Sequence, residues 1–409
     1  TITLYSDNPA ANTSVGTHTC SGTGTETASV SPAVTDGVHN ITYSETDTAG
    51  NESVQSASLA VTVDTSAPGT PAAGPDLQAA SDTGASNTDD LTNDNTPSFD
   101  VVCTEAGATI TLYSDNPAAN TVVGTHTCVG TGTETASISP AIADGVHNIT
   151  YSETDIAGNE SAQSASLAVT VDTSAPTAPT PAPDMTAATD TGVSNTDDIT
   201  GNNTPDFDVT CSQAGATITL YSDNPAANTS VGTHTCSGTG TETASVSPAV
   251  TDGVHNITYS ETDTAGNESV QSASLAVTVD TSAPGTPAAG PDLQAASDTG
   301  ASNTDDLTND NTPDFDVTCT EAGATITLYS DNPAANTVVG THTCAGTGTE
   351  TASVSPAVAD GVHNISYSET DTAGNESPQS ASLAVTVDTT APAAPTPAPD
   401  LTAATDTGV

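Results

Sequence analysis

Along the whole chain, short runs of apolar and β-branched residues alternate with Thr, Ser and Asn, and Gly, Pro, Asn and Asp separate the runs. In residues 109–113 the order Thr-Ile-Thr-Leu-Tyr sends Ile110 and Leu112 to one face and the threonines to the other. That period of two predicts a strand with one buried side. Comparable runs occupy residues 100–103, 122–128, 135–139, 146–152 and 166–172. No stretch holds the 3.6-residue period of a helix. A further strand is expected from the Asp-rich segment ahead of residue 100.

The pattern recurs. Thr-Ile-Thr-Leu-Tyr-Ser-Asp-Asn-Pro begins at Thr1, Thr109, Thr217 and Thr325, a spacing of 108 without insertion or deletion. Residues 1–108 and 217–324 differ only at Ser98/Asp314 and Val102/Thr318, so the larger unit is a cassette of 216 residues. About seven strands in each repeat, broken by turn residues, predict an all-β fold of tandem immunoglobulin-like sandwiches. Pro-rich stretches at 65–75, 173–183, 281–291 and 389–399 are expected to be stiff linkers. Complete domains are then expected at 76–174, 184–282 and 292–390. Residues 1–66 are expected to form a domain without its first strands, and 391–409 a linker and the start of another. The opening in mid-pattern points to a window from a longer array.

Composition narrows the chemistry. The 409 residues contain 51 Asp and Glu and no Lys or Arg, for a formal charge of −51. Without cations the chain has no means of neutralising nucleic-acid phosphates or the headgroups of an anionic bilayer. Lysine- and arginine-dependent enzymes and Lys-based isopeptide crosslinks are excluded outright. No apolar run is long enough to span a membrane as a helix. Strict repetition with strand patterning argues against the disorder that charge alone would suggest. No recognisable motif places a nucleophile, and an enzyme repeated in near-identical copies is not expected. Each of His39, His147, His255 and His363 follows Asp-Gly-Val at the start of a strand. There a histidine is expected to bond back to the backbone rather than to do catalysis.

The seven cysteines follow the repeat. Cys103 and Cys128, Cys211 and Cys236, and Cys319 and Cys344 are each 25 apart, while Cys20 is expected to pair upstream of the window. Regular pairing predicts intradomain disulfides and an oxidising, extracellular setting. Zinc is the competing reading, because His126 and Cys128 share a strand, but the repeat lacks a Cys-x-x-Cys.

Acidic residues concentrate at the domain junctions. After the linkers come Asp82, Asp89 and Asp90, then Asp190, Asp197 and Asp198, then Asp298, Asp305 and Asp306. The loop between the last two strands carries Asp155 and Asn159, Asp263 and Asn267, and Asp371 and Asn375. The last strands end in Asp64, Asp172 and Asp280. Sandwich topology leads us to expect Asp155 and Asn159 at the pole where the chain enters, facing Asp82, Asp89 and Asp90, with Asp64 arriving from the preceding repeat. On the same logic Asp172, Asp190, Asp197, Asp198, Asp263 and Asn267 should form one junction near residue 184. Converging carboxylates with no basic partner call for a hard cation, and Ca²⁺ takes six to eight such oxygens. Asp and Asn also suit turns and solubility, which is the simpler account of the same residues.

Taken in order, Asp-Thr-Gly, Thr-Pro-x-Phe, Ala-Gly-Ala-Thr-Ile-Thr-Leu-Tyr, Asp-Gly-Val-His, Asp-x-Ala-Gly-Asn-Glu-Ser and Val-Thr-Val-Asp-Thr-x-Ala-Pro resemble a known family. They are similar to the bacterial Ig-like repeats, or extender domains, of giant calcium-dependent surface adhesins of the biofilm-associated and repeats-in-toxin types. The resemblance covers the whole window and implies sandwiches whose linkers are rigidified by Ca²⁺. It maps ligand-type positions onto Asp82, Asp89, Asp90, Asp155, Asn159, Asp64 and their equivalents in later repeats. The chain departs from the family pattern in carrying cysteine and in lacking lysine. The expected function is a stalk of a secreted bacterial adhesin or fibre, stiffened through neighbouring repeats of the same chain. Alternatives are a subunit that assembles laterally or end to end with copies of itself, and a module that binds glycans or proteins.

Overall fold

The computed structural model describes residues 1–400 and Thr405. Among these the regular structure is all β, and the chain divides into two compact units. One comprises Thr1–Ala175 with the loop Asp263–Asn267; the other comprises Pro176–Thr262 and the residues from Glu268 onward.

In the second repeat two sheets face each other. The smaller has the order Gly132–Ser137, Ser98–Cys103, Asp76–Leu77. The larger has the order Leu91–Thr92, Leu167–Val171, Gly145–Thr154, Thr109–Ser114, Thr121–Thr127. Alternation in each strand delivers Phe99, Val101, Ile110, Leu112, Ile149, Tyr151, Val169 and Val171 into one shared core. The disulfide Cys103–Cys128 lies in that core, and Cys211–Cys236 and Cys319–Cys344 occupy the same place in the next two repeats. Cys20 is unpaired. Tyr151 is wholly buried, and its hydroxyl accepts the Val102 N–H at 3.2 Å.

The first strand differs from the single one expected: it is divided between the sheets. Asp76–Leu77 pairs antiparallel with Ser98–Cys103, whereas Leu91–Thr92 pairs parallel with the last strand, Leu167–Val171. The residues between them cross from one sheet to the other, and all of the entry-segment carboxylates lie on or beside that crossing. Parallel pairing with the last strand has a second consequence: it carries the crossing loop to the pole where the chain leaves the domain. Thr170 N–H donates to Asp90 O, and Asp172 N–H to Thr92 O. The first repeat, as far as the chain covers it, is one four-stranded sheet in the order Thr13–His18, Ile2–Ser6, Gly37–Glu45, Leu59–Val63.

Candidate functional site

The crossing loop is closed by its own side chains. In the third repeat, Thr200 Oγ1 donates to Thr189 O at 2.6 Å, and Asp190 Oδ2 accepts the Asp198 N–H at 3.3 Å. Asp198 sits at φ 60, a left-handed conformation that Asp and Asn tolerate better than most residues. These constraints bring Asp184, Asp190, Asp198 and Asp208, with Asn195 and Thr196, around a concavity of about 350 Å³. Asp184 and Asp208 are direct cross-strand partners, an arrangement that like charges disfavour.

One oxygen in this group has no partner among the described residues. Asp190 is 4% exposed, and its Oδ1 is buried without a hydrogen bond; the same is true of Asp82 Oδ1 and Asp298 Oδ1 in the other complete repeats. An unsatisfied buried carboxylate oxygen is costly. Burial, and then the charge of Asp197, raise the Asp190 carboxyl above its ordinary range. Burial, followed by the charges of Asp190, Asp184 and Asp197, does the same for Asp198. Asp82, Asp90 and Asp306 are likewise raised, with burial the leading cause in each. In the second and fourth repeats a glutamine donates to the equivalent of Asp208: Gln78 Nε2 to Asp100 Oδ1 and Gln294 Nε2 to Asp316 Oδ1, both at 2.6 Å.

The expected junction set is regrouped. Asp89, Asp197 and Asp305 are exposed and turn a carboxylate back onto the loop, accepting the N–H of Leu91, Ile199 and Leu307. Asp155 and Asn159 do not face Asp82 and Asp90. Both Asp155 oxygens are taken within the turn, by Asn159 N–H at 2.8 Å and Asn159 Nδ2 at 2.9 Å, which lowers its pKa. Asp263 with Asn267 and Asp371 with Asn375 close identical turns. Asp64, Asp172 and Asp280 use Oδ1 to accept the N–H two residues on, from Ser66, Ser174 and Ser282. Their backbone carbonyls accept instead from the turn asparagines: Asn159 to Asp64, Asn267 to Asp172 and Asn375 to Asp280, at 3.0, 2.8 and 2.6 Å.

The reason is the sheet crossing described above, which puts the acidic loop at the exit pole. In the unit that holds the third and fourth repeats, the loop of Asp190, Asp197 and Asp198 therefore meets Thr372–Gly374. In the other unit the loop after Asp82 meets Thr264 and Ala265 of the segment Asp263–Asn267. The sequence reading missed Asp208 and Asn195 as site members. The available signal was Asp208 alternating with Phe207 and Val209, a charge fixed on the outer face of a strand.

Two other features are structural. His147 is buried, and its Nε2–H donates to Ala143 O at 2.7 Å, with Ser114 Oγ on Nδ1 at 2.9 Å. Cys103, His126 and Glu134 lie together, but the sulfur is bonded to Cys128 and leaves no thiolate for a metal. His126 Nε2 meets Glu134 Oε2 at 2.7 Å, and with the Val129 and Gly130 N–H groups it pulls the Glu134 carboxyl down to about 2.

A family model described as a bacterial Ig-like domain matches residues 1–65, 69–173, 177–281 and 285–389. Among solved structures, the chicken CNTN1 FN1–FN3 domains are 12% identical, covering 79% of this chain and 99% of that one at a TM-score of 0.33. A tetra-tandem repeat from the extending region of a large adhesion protein is 20% identical, covering 95% and 91% at 0.28. The BSP domain of a biofilm-associated protein is 14% identical, covering 87% and 75% at 0.18. No curated protein matches the chain.

Proposed function

The chain belongs to the bacterial Ig-like domain family, and from that premise we propose that it is an extender segment of a bacterial surface adhesin or extracellular fibre, stiffened by calcium. The observation that carries this reading is the buried, unpartnered Asp190 Oδ1 among Asp184, Asp198 and Asp208, in a chain with no Lys or Arg to offset them. The donor set is all oxygen. Four carboxylates, the Asn195 amide and the Thr196 hydroxyl or carbonyl suit a hard cation of calcium's coordination number, and offer nothing soft to zinc or copper. Bound calcium would supply the positive charge that holds these carboxylates together. Asp190 and Asp198 would hold the ends of the loop, and Asp184 and Asp208 would tie it to the smaller sheet.

The same residues recur as Asp76, Asp82, Asp90 and Asp100, and as Asp292, Asp298, Asp306 and Asp316. Near-identical loops from repeat to repeat suit a spacer whose copy number sets its reach, rather than a binding module with varied loops. Three disulfides per described chain support an oxidising, extracellular location.

Calorimetric titration of the chelator-treated chain tests the metal assignment. The expected result is three strong calcium equivalents with Kd of about 1 mM or tighter, in the range of extracellular modules. Asp190→Asn combined with Asp198→Asn should remove one equivalent, and Asp155→Asn should remove none. An unchanged stoichiometry in the double variant, or loss with Asp155→Asn, overturns the assignment.

A further inference from the structure

Within the unit that holds the third and fourth repeats, the crossing loop of one repeat grips a turn of the other through backbone atoms. Thr191 Oγ1 donates to Ala373 O at 2.7 Å, Gly201 N–H to the same carbonyl at 2.8 Å, and Val193 N–H to Thr372 O at 3.4 Å. From the other side Asn375 Nδ2 donates to Asp280 O at 2.6 Å. The approach is close enough to demand glycine: a Cβ on Gly192 would lie 2.1 Å from Thr372 O, and one on Gly374 would lie 2.8 Å from Gly192 N. Ala373 is fully buried there. The other unit contains the same contact, with Thr83 Oγ1 on Ala265 O at 2.8 Å and a Gly84 Cβ placed 2.2 Å from Thr264 O.

We infer that the Thr-Gly corner of the crossing loop is a receptor for the Ala-Gly-Asn turn of an Ig-like repeat, and that this backbone latch fixes one repeat against the next. The Asp371 oxygens at the joint are filled by the Asn375 donors. Among the described residues nothing fills the receptor of the fourth repeat: Thr299, Gly300, Leu307, Thr308, Asn309 and Asp388 line a concavity of about 160 Å³. Among the described residues the turn of the second repeat is unlatched, with Ala157 and Gly158 exposed and only the Asn159 bond to Asp64 O in place.

These open copies supply matched controls. Gly158 and Gly374 have nearly the same φ, 97 and 95, but a Cβ at Gly158 meets nothing within 4 Å. Gly300 and Gly192, at φ 109 and 103, differ in the same way. Alanine therefore strains both members of each pair equally, and only one member of each lies in a latch.

Hydrogen exchange of the full chain in calcium, read after pepsin digestion, tests the inference. Residues 191–201 should be protected relative to 299–309. Gly374→Ala should speed exchange in 191–201 by about tenfold or more, while Gly158→Ala leaves it unchanged. Equal exchange in the two segments of the unsubstituted chain, or no effect of Gly374→Ala, overturns the latch. The inference shares its loop with the calcium site, yet the two fail separately. Calcium titration of Gly374→Ala should still give three equivalents, and loss of calcium binding with 191–201 still protected would remove the metal reading alone.

Discussion

Asp190 and Asp155 are both buried aspartates in Asn- and Gly-rich loops, at 4% and 8% exposure, and their oxygens have opposite fates. Asp155 is saturated by the amide donors of Asn159, which favour its charged form. Asp190 keeps one oxygen bare beside like charges, which disfavours it. The sign of the pH dependence follows. A carboxyl raised in the folded state binds protons more readily there than in the unfolded chain, so acidification through its raised pKa relieves the metal-free loop. The hairpin glutamates Glu26, Glu134 and Glu242, lowered to about 2, do the reverse: their stabilisation is present above the ordinary value of 4.5 and is lost as pH falls towards 2. In chelator, the melting temperature should rise as pH first falls into the region just above 3.8, then decline towards pH 2. Calcium affinity should weaken over the first interval, as protons compete for Asp190 and Asp198. A monotonic fall in the chelator melting curve from neutral pH would show that the loop carboxylates are not strained. Sequence spacing could show that these aspartates cluster. It could not show which had exchanged a cation for a neighbouring amide, because that depends on turn geometry at Asn159.

At the scale of elements, the strands were legible in the two-residue alternation, and the disulfide pairs in their constant separation of 25. Each bridge links the smaller sheet, at Cys103, to the end of the edge strand Thr121–Thr127 of the larger one. Cys211→Ala with Cys236→Ala should therefore lower the stability of the third repeat by about 3 kcal/mol on the loop-entropy account. Urea denaturation of that variant should show an added early transition, and transitions that coincide with those of the unsubstituted chain would contradict it. The pole at which the acidic loop sits was not legible. It turns on Leu91–Thr92 pairing parallel with the last strand, a two-residue ladder too short to leave a periodic signal. That one pairing moves Asp82 and Asp90 to the far end of the domain and changes which turn they meet.

For the molecule as a whole, the repeats supply three layers of restraint: a disulfide within each complete core, a carboxylate site in each crossing loop, and a backbone latch at the loop's tip. Thr191 and Gly192 lie between Asp190 and Asp198, so a cation held by those aspartates would order the segment that makes the latch. Calcium would then stiffen the joint by ordering the latch. Small-angle scattering of the full chain, in calcium and then in chelator, with circular dichroism recorded on the same samples, tests this most directly. Chelation should shorten the maximum dimension and broaden the distance distribution while the β-sheet spectrum is retained, and restoring calcium should reverse both changes. A maximum dimension that is the same with and without calcium would contradict it.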